Sequence, residues 1–278
     1  MKILIIGANA ALAKDAIPIL AQDNSIITGG KSGCDIYCDI TKAVDIPSDI
    51  DIVINFAAAF GGLGDEEIIE AQQVNARGML NICIAAKKAG SPHIINISSI
   101  FALANDKSPN YSIYAVTKKN GEELAQFYCG VNKIPLTILR PSRVYGNNYS
   151  FAKHQPFFYQ LIDKARKGED IVIYGKHDPI RNYIHSQDLA HVIDLVAKKS
   201  VEGSYNCVHP SNTSYLQIAD TALDVFSSGG KVTFDDTKPD IPDDDFPKDP
   251  YVYEKIGYSP EISIKQAIAW IAQHEEEK

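Results

Sequence analysis

Short apolar runs rich in β-branched residues alternate with longer amphipathic stretches along the chain. The runs predict strands near 2–6, 25–28, 35–37, 51–56, 93–98, 135–140, 171–174 and 204–208. The stretches between them predict helices over 66–89, 113–130, 155–167, 187–199 and 214–227, and a closing amphipathic helix over 262–274. Buried strands that are separated by helices are typical of a parallel sheet. The pattern therefore predicts an α/β fold, in which helices cover both faces of a doubly wound parallel sheet.

The order of these elements predicts two domains. We expect a nucleotide-binding domain formed by residues 1–145 with 186–210, and a smaller C-terminal α/β lobe formed by residues 146–185 with 211–278. One segment, Asp235 to Pro250, is rich in Asp and Pro and is predicted to be a solvated surface loop. A calcium site is the alternative for this segment, although the glycine of a calcium loop is missing.

Composition and charge narrow the range of partners. The chain has 278 residues, 45% of them hydrophobic, and a net charge of −8, so we expect no binding to nucleic acid or to an anionic membrane. The N-terminal apolar run, Ile3 to Ile6, is short and is followed by Gly7, and no 18 consecutive residues are apolar. We therefore expect neither a signal peptide nor a membrane span. The five cysteines lack the spacing of a zinc or redox motif, so we expect reduced thiols, a cytoplasmic protein and no metal site.

The first predicted strand runs into Gly7-Ala8-Asn9-Ala10-Ala11-Leu12-Ala13 and then into a helix. A glycine at this point permits a tight turn, and the N-terminus of the helix directs N–H groups at a pyrophosphate. Only the first of the three glycines of a dinucleotide loop is present, and Ala10 and Ala13 occupy the other two positions. The turn is thus a candidate dinucleotide loop, with an ordinary strand-to-helix turn as the alternative.

The end of the second strand bears on the choice of cofactor. An acid at this position accepts hydrogen bonds from the adenosine ribose of NAD and repels a 2′-phosphate. Here the sequence is Ile26-Ile27-Thr28-Gly29-Gly30-Lys31-Ser32, which has no acid, while Lys31 and Ser32 could hold a phosphate. The sequence favours NADP over NAD, and NAD remains the alternative.

A tyrosine and a lysine four residues apart share one helix face. This spacing occurs three times, at Tyr114/Lys118, Tyr149/Lys153 and Tyr251/Lys255, so spacing alone identifies no site. The sequence context distinguishes the first pair, because it lies on a predicted helix after a strand that ends in Ser98-Ser99.

Several other short motifs occur in a fixed order around this pair. They are Asp39-Ile40-Thr41, Asn55-Phe56-Ala57-Ala58-Ala59, Val74-Asn75-Ala76-Arg77-Gly78, Glu122, Leu139-Arg140-Pro141 with Val144-Tyr145-Gly146, Arg181-Asn182-Tyr183-Ile184-His185 with Asp188-Leu189-Ala190, and Gly257-Tyr258-Ser259-Pro260. In this order they resemble the extended short-chain dehydrogenase/reductase family, which includes nucleotide-sugar epimerases, dehydratases and reductases. The resemblance implies a Rossmann domain with a C-terminal substrate lobe, an NAD(P) cofactor and a nucleotide-sugar substrate, and it leaves a homodimer open.

The resemblance also implies roles for individual residues. Tyr114, Lys118 and Ser99 are expected to be catalytic, with Ser98 as the alternative to Ser99. The expected cofactor-binding residues are Gly7, Asn9, Ala10, Leu12, Lys31, Asp39, Ile40, Phe56, Ala57, Ala58, Lys118 and Pro141. The expected substrate-binding residues are Ser99, Tyr114, Arg143 and Arg181, and Arg143 departs from the family pattern because an Asn usually stands there.

The residues around the expected catalytic groups narrow the reaction. The family's dehydratases have acids at the positions of Ile100 and Phe101, and its epimerase-reductases have a Cys at Phe101 and a His at Asn148. The chemistry that remains is hydride transfer at C4 of the sugar, in a 4-epimerase or a 4-ketoreductase. A sensor or scaffold that binds NAD(P) without catalysis is the alternative, because atypical relatives of this kind often lack the glycines of the first loop.

Overall fold

The computed structural model describes residues 1–244 and 246–274, and the remaining residues of the predicted lobe and of the acidic segment lie outside the described residues. The strands are β1 (Lys2–Ile6), β2 (Ser25–Gly30), β3 (Ile36–Tyr37), β4 (Ile52–Asn55), β5 (His93–Ile97), β6 (Leu136–Pro141), β7 (Arg143–Tyr145), β8 (Ile171–Tyr174), β9 (Ile180–Arg181), β10 (Tyr183–His185), β11 (Gly203–Cys207), β12 (Thr213–Ser214) and β13 (Val232–Asp235). The helices are α1 (Ala11–Leu20), α2 (Asp65–Ala71), α3 (Gly78–Lys88), α4 (Ile113–Asn132), α5 (Pro156–Arg166), α6 (Ser186–Lys198), α7 (Tyr215–Phe226), α8 (Tyr251–Ile256) and α9 (Ile264–Gln273).

The chain forms two compact units. The first consists of Met1–Pro141, Leu189–Cys207 and Asp249–Tyr258, and the second of Ser142–Asp188, Val208–Lys248 and 259–274. The largest difference from the sequence prediction is at α8. The prediction placed this helix in the second domain, whereas in the structure it packs against β11 in the first unit.

The first unit is built on a parallel sheet of seven strands in the order β11-β6-β5-β4-β1-β2-β3. Strand β1 pairs with β2 on one side and with β4 on the other, so that Ile3 lies opposite both Ile26 and Ile52. Every residue of β4 and β5 is buried, as expected for strands that are covered on both faces. The predicted doubly wound parallel sheet is confirmed. Its carboxyl edge, where the strands β1 to β6 end, carries most of the residues expected from sequence to bind the cofactor.

The predicted helix over 66–89 is interrupted. Between α2 and α3 the chain forms a π-helical turn, Gln72–Arg77, which contains the buried residues Asn75 and Ala76. A π-helical turn holds one more residue than an α-helical turn and often occurs at functional sites. This turn contacts α4, the helix that carries Tyr114 and Lys118.

The second unit contains three small sheets, formed by the pairs β7 with β10, β9 with β12, and β8 with β13. Helix α7 packs against α5 and α9. The interior of the second unit includes four buried aromatic rings, those of Tyr145, Phe158, Tyr159 and Tyr183. Within this unit the sequence predicted β8, α5, α7 and α9, but it missed β7, β9, β10, β12 and β13.

Candidate active site

Gly7 follows β1 and turns the chain towards α1. Its φ of +78° is in the left-handed region, and a Cβ atom on it would lie 2.6 Å from the backbone nitrogen of Ala57. The N–H groups of Gly7 and Ala8 donate to the backbone oxygen of Gly29, at 2.9 and 3.3 Å. Glycine is therefore required here, because it lets the loops after β1 and β4 come into contact.

The N-terminus of α1 has the properties of an anion site. Ala10 is its N-cap, no side chain caps the helix, and no acid lies in the first turn, which contains Leu12. The N-cap residue thus leaves the first N–H groups of the helix uncapped, and N–H groups of this kind attract phosphate. Asn9 donates from Nδ2 to the backbone oxygen of Ser32 at 2.8 Å, which joins this turn to the loop after β2. The arrangement fits the pyrophosphate of a dinucleotide.

The loop after β2 carries charges of both signs. Lys31 Nζ lies 3.9 Å from Asp39 Oδ1, and the Lys31 side chain is 65% exposed. Asp39 also accepts hydrogen bonds from Thr41. These bonds are the main reason that the pKa of the Asp39 carboxyl lies below its usual value. The Asp35 carboxylate accepts from both the backbone nitrogen and the hydroxyl of Thr28, each at 2.8 Å. Sequence reasoning missed Asp35, because it lies beyond the end of β2 and returns to that strand only in the folded chain.

The end of β4 contributes three of the predicted cofactor residues. Phe56 is buried and donates its N–H to the backbone oxygen of Ile6 at 2.8 Å, Ala57 is partly buried, and Ala58 is exposed. Exposure thus increases from Phe56 to Ala58.

Two further predicted cofactor residues are more enclosed. The side chain of Ile40 packs in the hydrophobic core, and its backbone oxygen accepts a hydrogen bond from Asn81 Nδ2 at 2.8 Å. Pro141 ends β6 and lies opposite Cys207 of β11. A contact of Ile40 with a cofactor would therefore involve its backbone more than its side chain.

Tyr114 and Lys118 lie in the first two turns of α4. The helix begins after Ser112, whose hydroxyl accepts from the N–H of Ala115. Lys118 is 5% exposed, its Nζ lies 5.9 Å from the centroid of the Tyr114 ring, and it donates to the backbone oxygen of Ile97 at 2.9 Å. The spacing predicted from sequence thus places the ammonium beside the phenol.

Burial governs the charge states of this pair. It raises the pKa of the Tyr114 phenol to about 12, and the hydrogen bond with Ser99 acts in the opposite direction. It lowers the pKa of the Lys118 ammonium to about 8, while the negative charge of Glu122 acts to raise it. The protein alone therefore keeps Tyr114 protonated, and additional positive charge is needed to favour tyrosinate.

The structure distinguishes Ser99 from Ser98. The Ser98 hydroxyl donates to Glu122, whose carboxylate also accepts from Arg140 Nε at 2.9 and 3.0 Å. Ser99 is the residue that interacts with the Tyr114 phenol, and its hydroxyl also accepts from the N–H of Phe101 at 3.2 Å. Ser98 is thus engaged by Glu122, while a hydrogen bond with Ser99 acts to lower the pKa of the Tyr114 phenol.

Sequence reasoning missed two residues close to Tyr114. Phe60 stacks on the Tyr114 ring, with 4.8 Å between centroids. Asn75 exchanges two hydrogen bonds with the backbone of Ala59 and donates to Thr117 on α4. Asn75 was expected only as part of a motif, and the glycine-rich stretch after Phe60 was the available signal for a loop that folds closely against a helix.

Arg181 lies in the second unit and is 3% exposed. Its Nη1 donates to the backbone oxygens of Ile180 and Pro242, at 2.8 and 2.6 Å, and its Cζ lies 4.5 Å from the centroid of the Tyr215 ring. Its Nε has no hydrogen-bond partner among the described residues. The guanidinium is thus held in place, with one buried donor still to be satisfied.

Arg143, also in the second unit, forms an ion pair with Asp244. Its Nε and Nη2 donate to the two carboxylate oxygens, at 2.7 and 2.9 Å, and the Asp244 side chain is 2% exposed. Asp244 belongs to the segment that was expected to be a solvated loop. That expectation was wrong for Asp244, because Arg143 supplies the opposite charge that a buried carboxylate needs.

Residues 1–244 and 246–274 contain no group of three or more His, Cys, Asp and Glu side chains that could hold a metal ion. No helix in the same part of the chain has the length and apolar character to cross a membrane.

Comparisons with known proteins agree with the geometry. Residues 3–207 match the family described as NAD dependent epimerase/dehydratase family. The protein named "Putative UDP-glucose 4-epimerase" from Methanocaldococcus jannaschii is 24% identical over 311 residues, which cover 96% of this chain and 95% of that protein.

Solved structures share the fold. The UDP-glucuronic acid 4-epimerase from Bacillus cereus, in complex with UDP-glucuronic acid and NAD, has a TM-score of 0.79 at 19% identity over 100% of this chain and 99% of that one. The Bordetella bronchiseptica enzyme WbmF, in complex with NADH, has a TM-score of 0.80 at 16% identity over 99% and 92%. At these identities the likeness shows the fold alone.

Proposed function

We propose that this chain, which belongs to the NAD dependent epimerase/dehydratase family, transfers hydride at C4 of a nucleotide-diphosphate sugar, as a 4-epimerase or a 4-ketoreductase. The observation that carries the proposal is the grouping of Tyr114, Lys118 and Ser99. The three lie in one unit, with Lys118 Nζ 5.9 Å from the Tyr114 ring and Ser99 interacting with the phenol. A phenol that is paired with a buried ammonium suits proton transfer at a sugar hydroxyl.

Each of the three residues has a separate task in this reaction. Tyr114 takes the proton of the C4 hydroxyl when hydride leaves C4, or returns it to the C4 oxygen when hydride arrives. Lys118 favours the tyrosinate form through its positive charge, and Ser99 orients the same sugar oxygen by hydrogen bonding. NAD(P), when bound, supplies the hydride acceptor or donor. The uncapped N-terminus of α1 is the proposed site of its pyrophosphate.

The residues beside Ser99 support C4 chemistry over dehydration. Ile100 is buried and Phe101 is partly buried, and neither side chain can exchange a proton. A dehydratase needs groups that exchange protons at C5 and C6 in addition to the tyrosine. The relative named "Putative UDP-glucose 4-epimerase", whose match covers 96% of this chain, supports the proposal of C4 chemistry. The presence of all three expected catalytic groups also favours an enzyme over a non-catalytic sensor.

A direct assay tests this function. The protein is incubated with NAD or NADP and either UDP-glucose or UDP-glucuronic acid, and C4 epimers are detected by proton NMR. The reduction of a 4-keto sugar is followed by nicotinamide absorbance. Tyr114→Phe should bind the cofactor normally and lose about 10² to 10⁴ in turnover. Tyr111→Phe, a change three residues earlier at an exposed position, should not. Turnover by Tyr114→Phe at the wild-type rate would contradict the proposed mechanism.

For the cofactor we propose NADP in preference to NAD. The proposal rests on Lys31, because its exposed pair with Asp39 is weak and leaves the ammonium available to a 2′-phosphate. The description of the family as NAD dependent, and the Asp35 carboxylate beside Thr28, are the arguments for NAD. Titrations of NADH and NADPH by nicotinamide fluorescence decide between them. Lys31→Ala should reduce the NADPH preference, and tighter binding of NADH by the wild type would reverse the proposal.

For the substrate we propose that Arg181 binds the diphosphate, because its guanidinium carries a fixed positive charge that Tyr215 and two backbone oxygens hold in place. Charge-assisted hydrogen bonds contribute roughly 1.5 to 3 kcal/mol each, so losing one should weaken binding by about one to two orders of magnitude. Arg181→Lys is a better test than Arg181→Ala, because it keeps a positive charge in a buried position. UDP-glucose and UDP-glucuronic acid are titrated by calorimetry, with Arg166→Lys on α5 as the control. Unchanged affinity, or an equal loss of NAD(P) binding, would remove Arg181 from the substrate site.

Arg143 remains a proposed substrate residue of a different kind. The Asp244 carboxylate already neutralises its guanidinium, so we propose that Arg143 acts by holding Asp244 and the loop around it in place. In the same titrations Arg143→Lys should weaken nucleotide-sugar binding less than Arg181→Lys.

A further inference from the structure

The ring of Phe60 lies nearly parallel to that of Tyr114. The centroids are 4.8 Å apart and the planes differ by 12°. The Phe60 side chain is nevertheless 48% exposed, which is unusual for an aromatic ring that packs so closely on another. Stacked aromatic pairs add stability beyond the area they bury, so this contact restrains both rings.

The backbone before Phe60 is fixed by Asn75 of the π-helical turn. Asn75 accepts from the N–H of Ala59 at 2.9 Å and donates to the oxygen of Ala59 at 2.7 Å. The same Nδ2 donates to Thr117 Oγ1 on α4 at 2.9 Å, one residue before Lys118. Asn75 therefore ties the start of the Phe60 loop to the helix that carries Tyr114 and Lys118.

The backbone after Phe60 is equally constrained. Gly61 has a φ of +69°, and a Cβ atom on it would lie 2.6 Å from Cγ2 of Ile113, the residue before Tyr114. Only glycine lets the loop lie this close to the first turn of α4. Phe60 thus stands between two fixed residues, and its ring is directed onto the Tyr114 ring by the backbone on both sides.

We propose that Phe60 is a positioning residue for Tyr114, which holds the plane of the phenol ring and keeps water from one of its faces. The proposal rests on the proposed function, in which Tyr114 moves the proton. The stack covers a ring face and leaves the edge with the hydroxyl to Ser99 and to the substrate. Keeping water from the ring disfavours the phenolate until positive charge arrives with the cofactor. Tyr114 is then held ready for proton transfer in one orientation.

Chemical nitration tests this without a need for turnover. Tetranitromethane nitrates the phenolate form of tyrosine, and Tyr111 and Tyr114 fall in one tryptic peptide, 108–118, in which mass spectrometry distinguishes them. Tyr111 is 50% exposed and serves as the internal reference. A fall of about one unit in the pKa of Tyr114 would raise its phenolate population about tenfold at fixed pH. We therefore expect Phe60→Ala to raise the ratio of Tyr114 to Tyr111 nitration by about tenfold.

Matched variants separate the stack from a general loosening of the loop. Leu63→Ala lies in the same loop at a side chain that is 99% exposed, and it should leave the ratio unchanged. Phe60→Trp keeps a planar ring and should keep the ratio low. Phe60→Leu keeps apolar bulk without a planar ring, so it should raise the ratio even if Phe60→Ala fails to fold.

An unchanged ratio in folded Phe60→Leu, or an equal rise in Leu63→Ala, would overturn the proposal. Nitration reports on the phenol alone, so a failure to find nucleotide-sugar turnover leaves this result readable. Thermal unfolding of each variant checks that the fold is intact. Phe60 is half exposed, so its removal should change the melting temperature little.

Discussion

The backbone oxygen of Asn75 lies 2.2 Å from the position that a Cβ atom on Gly121 would occupy. The π-helical turn and α4 are thus in contact through backbone atoms at the point where Asn75 reaches Thr117. Neither element can move away without losing the hydrogen bonds that fix the loop before Phe60. Gly121 therefore has a structural task that its position within a helix does not suggest.

We expect Gly121→Ala to destabilise the protein by about 1 to 3 kcal/mol, the usual effect of an extra methyl group in a packed interior. Gly130 lies on the same helix, and among the described residues no atom beyond its chain neighbours and the backbone of its own helix lies within 4 Å of its hypothetical Cβ. Gly130→Ala should instead stabilise the protein, by up to about 1 kcal/mol, because alanine is the better helix former. Urea unfolding of the two variants measures both effects. A stabilising Gly121→Ala would show that the two elements separate easily.

A second prediction concerns the pH dependence of stability at Lys118. Burial lowers the pKa of Lys118 from about 10.5 to about 8, so the charged form destabilises the folded state below pH 8, and this penalty is lost as pH rises towards 10.5. The unfolding free energy of Lys118→Met minus that of the wild type should therefore be larger at pH 7 than at pH 10, by about 2 to 3 kcal/mol. The same variant should lose turnover at least as severely as Tyr114→Phe.

The matched control is Lys119→Met, one residue along α4 at an exposed position. Its stability relative to wild type should not depend on pH in this way. Urea unfolding at the two pH values gives the comparison for both variants. If Lys118→Met and Lys119→Met behave alike, the ammonium of Lys118 is better solvated than its burial indicates.

A third prediction concerns the ion pair of Arg143 and Asp244. Arg143→Ala leaves a buried carboxylate without its partner and should cost about 3 kcal/mol of unfolding free energy. The double variant Arg143→Ala/Asp244→Ala should lose clearly less than the sum of the two single variants. A double-mutant cycle in urea measures the coupling. Additive losses would show that the two side chains do not stabilise each other.

A fourth prediction concerns His177, which lies 3.4 Å from Asp240 Oδ1 and 3.3 Å from Asp243 Oδ1. Desolvation acts to lower the pKa of His177, but the two aspartates outweigh it and the pKa is raised. The pKa values of both aspartates are lowered, mainly by a hydrogen bond from the backbone N–H of Lys176 to Asp240 and by one from the backbone N–H of Ile180 to Asp243. At a pH above the pKa values of the two aspartates and below the pKa of His177, all three side chains are charged.

Stability from a raised histidine pKa is present below about pH 6.5 and is lost as pH rises through the folded-state value. His177→Ala should therefore lower the melting temperature more at about pH 5.5 than at about pH 8.5. Asp243→Asn should show part of the same dependence. Equal effects at the two pH values would mean that the ring is neutral in both.

The sequence predicted the first unit well for a physical reason. Strands such as β1, β4 and β5 are buried on both faces, so their apolar runs are visible without knowledge of any partner. The strands of the second unit that were missed have two to four residues, and β9 and β12 have two each. Such strands exist because distant segments pair with them, and no local periodicity shows that pairing.

The site divides in the same way. Gly7, Tyr114 and Lys118 belong to local patterns, because a turn or one helix face brings their chemistry together. The stack of Phe60 on Tyr114 and the ion pair of Arg143 with Asp244 join residues 54 and 101 positions apart in the chain. Helix α8 could have been predicted, since Pro250 precedes it and Gly257, with a φ of +69°, follows it.

The π-helical turn Gln72–Arg77 also constrains how this chain can change in evolution. Each residue of an α-helix advances the chain by about 100° around the axis, so removal of one residue from the turn would restore a regular helix and rotate all of α3. Ile82 and Cys83, which are fully buried, would then leave the sheet side of the helix. Substitutions at exposed positions such as Gln73 disturb none of this. Geometry thus constrains the number of residues in this stretch, and a deletion here should be tolerated less well than a substitution at an exposed position.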